Sequence, residues 1–290
     1  MRADGRRLKL SEINPMYAMT PYIMQKRYDA MNMIELFIPE KPMHDYINAK
    51  RADGLNISHV ALIIAAYVRT VAEFPHLNRF ISGTHHFYAR KGIQVGMVVL
   101  KAGTEGTMNK VSFDVADTVF DVNRKLTEYI ELNRAAGDTN STDKAIRILL
   151  SIPGLATVGV GFFRLLDHFG LLPKAVINAS PFHESMVITN LASIRTNHIY
   201  HHVYQFGTTG QAIAMGNMRE IPHREKDGTV TTERCLPLGV VMDERICSGS
   251  YYASAFAKMR QYLKDPALLE TAPENPIREY LKPKKQKKAK

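Results

Sequence analysis

Cysteine and tryptophan are scarce in this sequence: its 290 residues include two cysteines and no tryptophan. Two thiols, Cys235 and Cys247, cannot build a disulfide framework, and no secretory leader is recognisable ahead of them. We therefore expect a protein of the reducing cytoplasm, in which both cysteines are ordinary thiols.

Long hydrophobic runs are lacking as well. The most apolar stretch, residues 148–163, has 16 residues and contains Pro153 and three glycines, whereas a membrane-spanning helix needs about 20 apolar residues. We expect no membrane span. The stretch is interpreted as a buried helix and turn, or as a hydrophobic surface at a subunit contact.

The positive charge is concentrated at one end. The net charge is +10, and six of these charges are lysines in residues 282–290, which leaves +4 on the remainder. Such a run is typical of a solvated, disordered end, and no zinc-finger or RNA-recognition spacing supports binding of nucleic acid. Since no linker rich in glycine, serine or proline divides the rest, we predict one domain over residues 1–275 and a basic, disordered tail over residues 276–290.

The order of predicted elements favours a mixed fold. Helical spacing of apolar residues predicts helices over 56–73 and 119–133, the first with Asn56 or Ser58 as its cap. Strand character marks residues 93–100, 211–215 and 236–242. Helices lying on one face of a mixed sheet describe an α+β sandwich.

Residues 242–249 read Met-Asp-Glu-Arg-Ile-Cys-Ser-Gly. This octapeptide resembles the closing motif, Asp-His-Arg-x-x-Asp-Gly or His-His-x-x-x-Asp-Gly, of CoA-dependent acyltransferases of the chloramphenicol acetyltransferase type. That family includes the catalytic domains of 2-oxo acid dehydrogenase acyltransferase subunits. Glu244 stands at the family's histidine and Ser248 at its aspartate. The matching residues are Asp243, Arg245 and Gly249.

Three further segments resemble the same family and occur in the same order. Residues 73–78 are similar to its Phe-Pro-x-Leu-Asn corner, residues 185–191 to its strand ending in Ser-Asn-Leu, and residues 264–269 to its Asn/Asp-Pro-x-x-Leu ending. The resemblance spans residues 15–270. It implies a chloramphenicol acetyltransferase-like two-layer sandwich, assembled as a homotrimer or a multiple of it, with each active site between neighbouring subunits.

The resemblance also implies roles for individual residues. Thr189, followed by Asn190, keeps the hydroxyl that steadies the tetrahedral intermediate of acyl transfer. Glu244 occupies the place of the general base, either as a replacement base or as a structural or ligand-contacting carboxylate in a protein without the reaction. The expected function is therefore CoA-dependent acyl transfer from a thioester, and the alternative is a non-catalytic trimeric scaffold or regulatory relative.

Two more residues are candidates for the site. His201 falls where the family lines its acceptor pocket, and a histidine could replace the lost base; on a strand it would share a face with Ile199 and Val203. A hydrogen-bonded structural role is the alternative for His201. Because Ser248 cannot neutralise a cation, the arginine that pairs with the family's aspartate needs another partner, and Arg27 is the candidate.

The expected ligands follow from the same family. CoA or acyl-CoA is the substrate, and we expect no metal, since no cysteine or carboxylate completes a ligand set with the histidines around His201. Residues 142–145 imitate a lipoate-carrying hairpin but run into a helical, apolar segment. We therefore expect no covalent lipoate here, and an acceptor that is free or is a lipoyl group on another chain.

Overall fold

A buried helix organises the core of this computed structural model, which describes residues 2–83, 85–99, 107–135 and 150–281. The helix is α3 (His59–Glu73), in which every residue from 61 to 72 is buried. The Ser58 hydroxyl accepts a hydrogen bond from the Ala61 amide at 3.1 Å and so caps the helix. The helix predicted over 56–73 is thus present and begins at His59. It ends ahead of Pro75, which cannot continue it.

The remaining elements have the following bounds. The other helices are α1 (Pro15–Ile23), α2 (Glu40–Ala52), α4 (Val119–Ala135), α5 (Leu155–His168), α6 (Lys174–Ala179) and α7 (Gly249–Lys264). The strands are β1 (Gly5–Arg7), β2 (Met31–Pro39), β3 (Arg79–Ser82), β4 (His86–Arg90), β5 (Ile93–Val99), β6 (Thr107–Phe113), β7 (Met186–Asn190), β8 (Gln211–Met215), β9 (Arg219–Arg224) and β10 (Val230–Asp243). Short 3₁₀ turns are formed by Leu10–Glu12, Arg27–Ala30, Pro75–Asn78, Leu191–Ile194 and Pro266–Leu269.

The strands of the described residues form two sheets. The larger has the order β2-β10-β8-β7-β5-β6, with β9 paired to β10, and the smaller has the order β1-β4-β3. β7 pairs in parallel with β5 and β8, whereas the other pairs are antiparallel. Helices α2, α3, α4 and α7 share one apolar core with the large sheet. The prediction of an α+β two-layer sandwich of mixed sheet and helices is confirmed.

The opposite face of the large sheet is crossed by an irregular segment, residues 195–207. Two glycines leave room for its backbone. A Cβ atom on Gly239 would lie 2.3 Å from the Ile199 carbonyl oxygen, and one on Gly216 would lie 2.2 Å from the His198 amide nitrogen. Val203 packs in a small apolar cluster under the segment with Val187, Ala212 and Val241.

The strand expected around His201 is absent. The segment lies across strands instead of beside one, so its amides find other partners: the Val203 amide, for example, faces the Met31 sulfur at 3.4 Å. Val203 is buried while Ile199 is 44% exposed. The prediction that these two residues and His201 share one strand face is therefore wrong.

The apolar stretch after residue 148 forms a surface in its described part. Helix α5 exposes Val158, Phe162 and Leu165, each more than half accessible. Of the two interpretations, a buried helix and a hydrophobic surface, the exposure favours the surface. In the described residues, every helix is too short or too polar to span a membrane.

The body of the protein continues beyond residue 275. The Ile277 amide donates to the Ala72 carbonyl at 2.9 Å, and Arg278 donates to both carboxylate oxygens of Asp114 at 2.6 and 2.7 Å. Glu279 accepts hydrogen bonds from Arg79. Residues 276–281 thus pack on the domain, and residues 282–290 lie outside the described part, as does the lipoyl-like stretch 142–145.

Substituting Gly239 tests whether close approach to β10 positions the crossing segment. In Gly239→Ala the methyl group would overlap the Ile199 carbonyl, so we expect unfolding to cost about 1–3 kcal/mol less, measured by urea denaturation. Gly161→Ala is the control, because a Cβ atom there meets nothing within 4 Å. Alanine in α5 should stabilise by about 0.5–1 kcal/mol. Unchanged stability of Gly239→Ala would contradict the close approach.

Candidate active site

The site is built on Asp243, the last residue of β10, whose carboxylate is buried between two arginines. Arg245 donates to it twice, from Nε to Oδ1 at 2.8 Å and from Nη2 to Oδ2 at 2.7 Å. Arg27 donates from Nε to Oδ2 at 3.3 Å. The Asp243 amide donates to the Gly210 carbonyl at 2.9 Å, and its carbonyl accepts from the Tyr252 hydroxyl at 3.0 Å. Hydrogen bonds of both the side chain and the backbone of Asp243 therefore fix the end of β10.

Arg27 joins this carboxylate to the crossing segment. Its guanidinium donates to the Tyr204 carbonyl and, from Nη2 at 3.2 Å, to the Gly207 carbonyl. Burial lowers the pKa of Arg27 from its ordinary value, Asp243 opposes that shift, and the neighbouring Arg245 adds to it. Two buried guanidinium groups against one carboxylate leave this end of the sheet positive.

A polar cavity of about 280 Å³ opens beside the ion pairs. Arg27 and Arg245 line it together with three residues that the sequence analysis did not single out: His85, Arg164 and His168. Asp167 also lines it, but its carboxylate already pairs with Arg2 at 2.8 Å and with His183 at 3.1 Å. The cavity therefore suits an anionic or strongly polar ligand.

Glu244 follows Asp243 directly and is half-buried. Its amide donates to the Ala30 carbonyl at 2.8 Å, and its Oε2 accepts from Asn32 Nδ2 at 2.8 Å. Asn32 is opposite Met242 in the register of β2 and β10. The carboxylate is thus oriented from the neighbouring strand and keeps its second oxygen outside this hydrogen bond.

Ser248 caps α7 and makes no ion pair. Its hydroxyl accepts from the Tyr251 amide at 3.1 Å and lies 3.0 Å from the Ser250 hydroxyl. Gly249 is the first residue of the helix. Ser248 cannot neutralise an arginine. Asp243 supplies the negative charge instead, because it pairs with Arg27. Arg27 was the candidate from the sequence, and the structure shows it paired with Asp243.

Thr189 lies away from Glu244 in the same chain. It is half-buried near the end of β7, and the following Asn190 is exposed. The register places Thr189 opposite Ala214 of β8, which is opposite Gly239 of β10. Asp243 is four residues farther along β10, about 13 Å at the rise of a strand. One chain therefore does not bring the Thr189 hydroxyl and the Glu244 carboxylate together.

His201 lies on the crossing segment between these two levels of the sheet. His198 at one end of the segment contacts Glu35 at 3.2 Å, and Val203 at the other contacts Met31. The Nδ1 of His201 lies 2.9 Å from the His202 carbonyl, and the two imidazole rings stack at 4.7 Å. Its role as a base or as a structural histidine stays a prediction.

A different group of possible metal ligands comes together on the hairpin of β9 and β10. Ligand atoms of His223, Glu233 and Cys235 lie within 4.8 Å of one another. The pairing of β9 with β10 explains why they meet. His223 is opposite residue 231, so its side chain lies on the same face of the hairpin as those of Glu233 and Cys235. Two of them are exposed, and they lie outside the motif described above.

Comparison with known proteins places the fold. A scan against protein-family models and a search of curated proteins returned no match. The cubic core of the pyruvate dehydrogenase multienzyme complex matches with a TM-score of 0.58 at 11% identity, over 90% of each chain. Azotobacter vinelandii dihydrolipoamide acetyltransferase matches with a TM-score of 0.56 at 10% identity, over 87% of this chain and 90% of that one.

A third structural match is a chloramphenicol acetyltransferase. It matches with a TM-score of 0.54 at 10% identity, over 89% of this chain and 99% of the other. The chain therefore has the chloramphenicol acetyltransferase-like fold. It shares that fold with dihydrolipoamide acetyltransferase and the pyruvate dehydrogenase core, as the resemblance of its motifs predicted.

Substituting Asp243 tests the ion pairs. Asp243→Asn leaves two buried guanidinium groups without a counter-charge, so we expect a loss of about 3–5 kcal/mol in the free energy of unfolding. Asp45→Asn is the control, because the Asp45 carboxylate pairs with Lys41 on the exposed surface of α2, where a pair contributes about 0–1 kcal/mol. Urea denaturation of both variants makes the comparison, and equal losses would contradict a special role for Asp243.

Proposed function

We propose that the chain is a CoA-dependent, acyltransferase-like protein that acts on a thioester. The observation that carries the proposal is the placement of two matched segments on this fold: Thr189 lies near the end of the parallel strand β7, and Glu244 and Arg245 follow Asp243, the last residue of β10. The resemblance of the motifs and the structural comparisons agree on the chloramphenicol acetyltransferase-like fold. The substrate proposed is CoA or an acyl-CoA.

The Thr189 hydroxyl is proposed as the donor to the developing oxyanion. A donor must lie close to the reacting carbonyl, and the base must reach the attacking thiol or hydroxyl. Since the two residues lie apart in one chain, a complete site requires Thr189 of one subunit and Glu244 of the next. We therefore propose a homotrimer, or a multiple of it, with its sites between subunits.

Glu244 is the proposed base at the position of the family's histidine. An ordinary carboxylate is a weaker base than imidazole, with reference pKa values of about 4.3 and 6.5, so the substitution costs driving force for thiol deprotonation. His201 is the second proposed base, since its imidazole lies on the segment that crosses the face of the large sheet. The acceptor is a free thiol or hydroxyl, or a lipoyl group on another chain.

A non-catalytic trimeric scaffold or regulatory protein is the second candidate. Two observations favour it: Glu244 is engaged by Asn32, and Ser248 serves as a helix cap instead of closing an ion pair. In both cases the motif residue makes a structural contact. In that case the fold and the assembly are retained and the thioester is bound or ignored without transfer.

Release of CoA from a panel of acyl-CoAs decides between the two. If the site is active, Thr189→Ala should lower kcat by about 10²–10³-fold, and Glu244→Gln or His201→Ala by about 10²-fold according to which is the base. Thr232→Ala and Glu128→Gln, both on exposed positions, are controls that should retain turnover.

The outcome for a degenerate motif is different. If the parent is inactive, Glu244→His with Ser248→Asp should restore measurable transfer wherever the rest of the pocket is intact. An inactive parent and an inactive double variant would overturn the enzymatic proposal and leave the scaffold. Full turnover in every single variant would contradict the assigned residues.

A further inference from the structure

Another buried arginine, Arg90, lacks hydrogen-bond partners for part of its guanidinium group. It ends β4 and its side chain is 1% exposed. Nη2 donates to the carbonyl and hydroxyl oxygens of Thr208 at 2.7 and 3.0 Å. Within the described residues, Nε and Nη1 have no hydrogen-bond partner. Buried polar groups are normally satisfied, so these nitrogens point to a missing partner.

Arg90 opens onto a cavity of about 220 Å³ whose charge is strongly unbalanced. The cationic side chains that line it are those of Arg90, Lys91, Lys110 and Lys174, and one carboxylate, Asp4, opposes them. Asp4 Oδ2 lies 3.8 Å from Arg90 Nη1, so this edge of the guanidinium is directed towards a residue that lines the cavity. Arg2 already binds both oxygens of Asp4, at 2.8 and 3.2 Å.

A second carboxyl group, that of Glu184, also acts on the charge of Arg90. Glu184 is fully buried over Gly96, where a Cβ atom would lie 1.8 Å from Oε2. Burial raises the pKa of Glu184 to about 8, although Lys110 and Arg90 oppose the shift. Burial therefore favours the uncharged form of Glu184. Hydrogen bonding by Thr209 opposes the rise in pKa as well, and the two oxygens have no other hydrogen-bond partner within the described residues.

The pKa of Lys110 is also affected by this excess of positive charge. Its ammonium donates to three carbonyl oxygens, those of Ile177, Ser180 and His183, at 2.5, 3.0 and 3.0 Å. Burial, and then the charge of Arg90, lowers its pKa to about 8. An anion in the cavity would stabilise the charged form of both side chains.

We propose that this cavity binds a phosphate group, with Arg90 Nη1 as the buried donor and Lys91 and Lys174 as exposed cations at the rim. Arginine and lysine are the side chains that bind phosphate. The cavity is smaller than the roughly 300–1,000 Å³ of sites that enclose a whole organic ligand, so it fits the charged group itself. Free phosphate and a phosphate ester projecting into solvent share this chemistry.

This site is separate from the proposed acyl-transfer site. It is lined by the N-terminal residues, the end of β4, Gln94 of β5, Lys110 of β6, and α6, whereas the other site is built on the end of β10. The proposal rests on the unpartnered nitrogens of Arg90 and on the charged side chains that line the cavity. Its test uses no thioester, so its failure would leave the proposed acyl transfer untouched.

Titration calorimetry of the full chain with inorganic phosphate, at low ionic strength in a phosphate-free buffer, tests the site. Lys91→Gln with Lys174→Gln should weaken binding by about tenfold or more, since a hydrogen bond to a charged group contributes about 1.5–3 kcal/mol. Both lysines are exposed, so folding should be unaffected, as the thermal midpoint would verify. Lys41→Gln with Lys226→Gln removes the same charge from exposed positions elsewhere and should leave the affinity unchanged.

Two further ligands define the outcome. Glycerol 3-phosphate binding at least as tightly as inorganic phosphate would support the site as the seat of a phosphate ester, and weaker binding would support free phosphate. Acetate binding as tightly as phosphate would overturn the assignment. So would the absence of saturable phosphate binding by the parent, or equal losses in the two double variants.

Discussion

The carboxylate of Asp243 is the interaction on which the candidate site depends. It accepts hydrogen bonds from Arg27 and Arg245 while almost no water reaches any of the three side chains. A buried charge without a partner is far more costly than a buried pair, so these residues form one unit. Through Arg27 the unit also holds the carbonyls of Tyr204 and Gly207 and so anchors the crossing segment on the sheet.

This arrangement explains how the chain keeps a recognisable motif while departing from it at two positions. The resemblance assigns an ion pair to the aspartate that Ser248 replaces. Here Asp243 takes that arginine and Ser248 caps α7, so the structural duties of the motif persist after the substitution. The base position changes independently, because Glu244 makes its own contact with Asn32 and bears none of the ion pairs. Loss or change of chemistry at Glu244 is therefore compatible with an intact fold.

Sequence patterns predicted the regular parts of this fold well, because local spacing decides them. Helix α3 is apolar enough to define itself, and the strand over 211–215 is present with those bounds. Strand β10 begins at Val230 instead of residue 236, because its first half pairs with β9. That half is exposed. Its alternating burial is weak there, so hydrophobicity alone did not mark it.

The candidate site was less predictable, because it depends on groups brought together by the tertiary fold. Arg27 was expected to need a partner, but nothing local identifies Asp243, which is 216 positions away. A strand at His201 would have put it on one face with Ile199 and Val203, whereas close packing against Gly239 and Gly216 carries the backbone across the sheet. His85, Arg164 and Arg90 have no pattern of their own. Burial and unpartnered nitrogens distinguish Arg90 from a surface cation, whereas His85 and Arg164 are distinguished only by the cavity that they line.

The central claim is that an acyl-transfer site is completed by Thr189 of one subunit and Glu244 of its neighbour. Turnover by hybrid oligomers tests it most directly: Thr189→Ala and Glu244→Gln chains, each inactive alone, are coexpressed in equal amounts. Random assembly should then restore about a quarter of the parent activity, because one in four shared sites receives both intact residues. An active parent whose hybrids show no recovery would contradict a site shared between subunits.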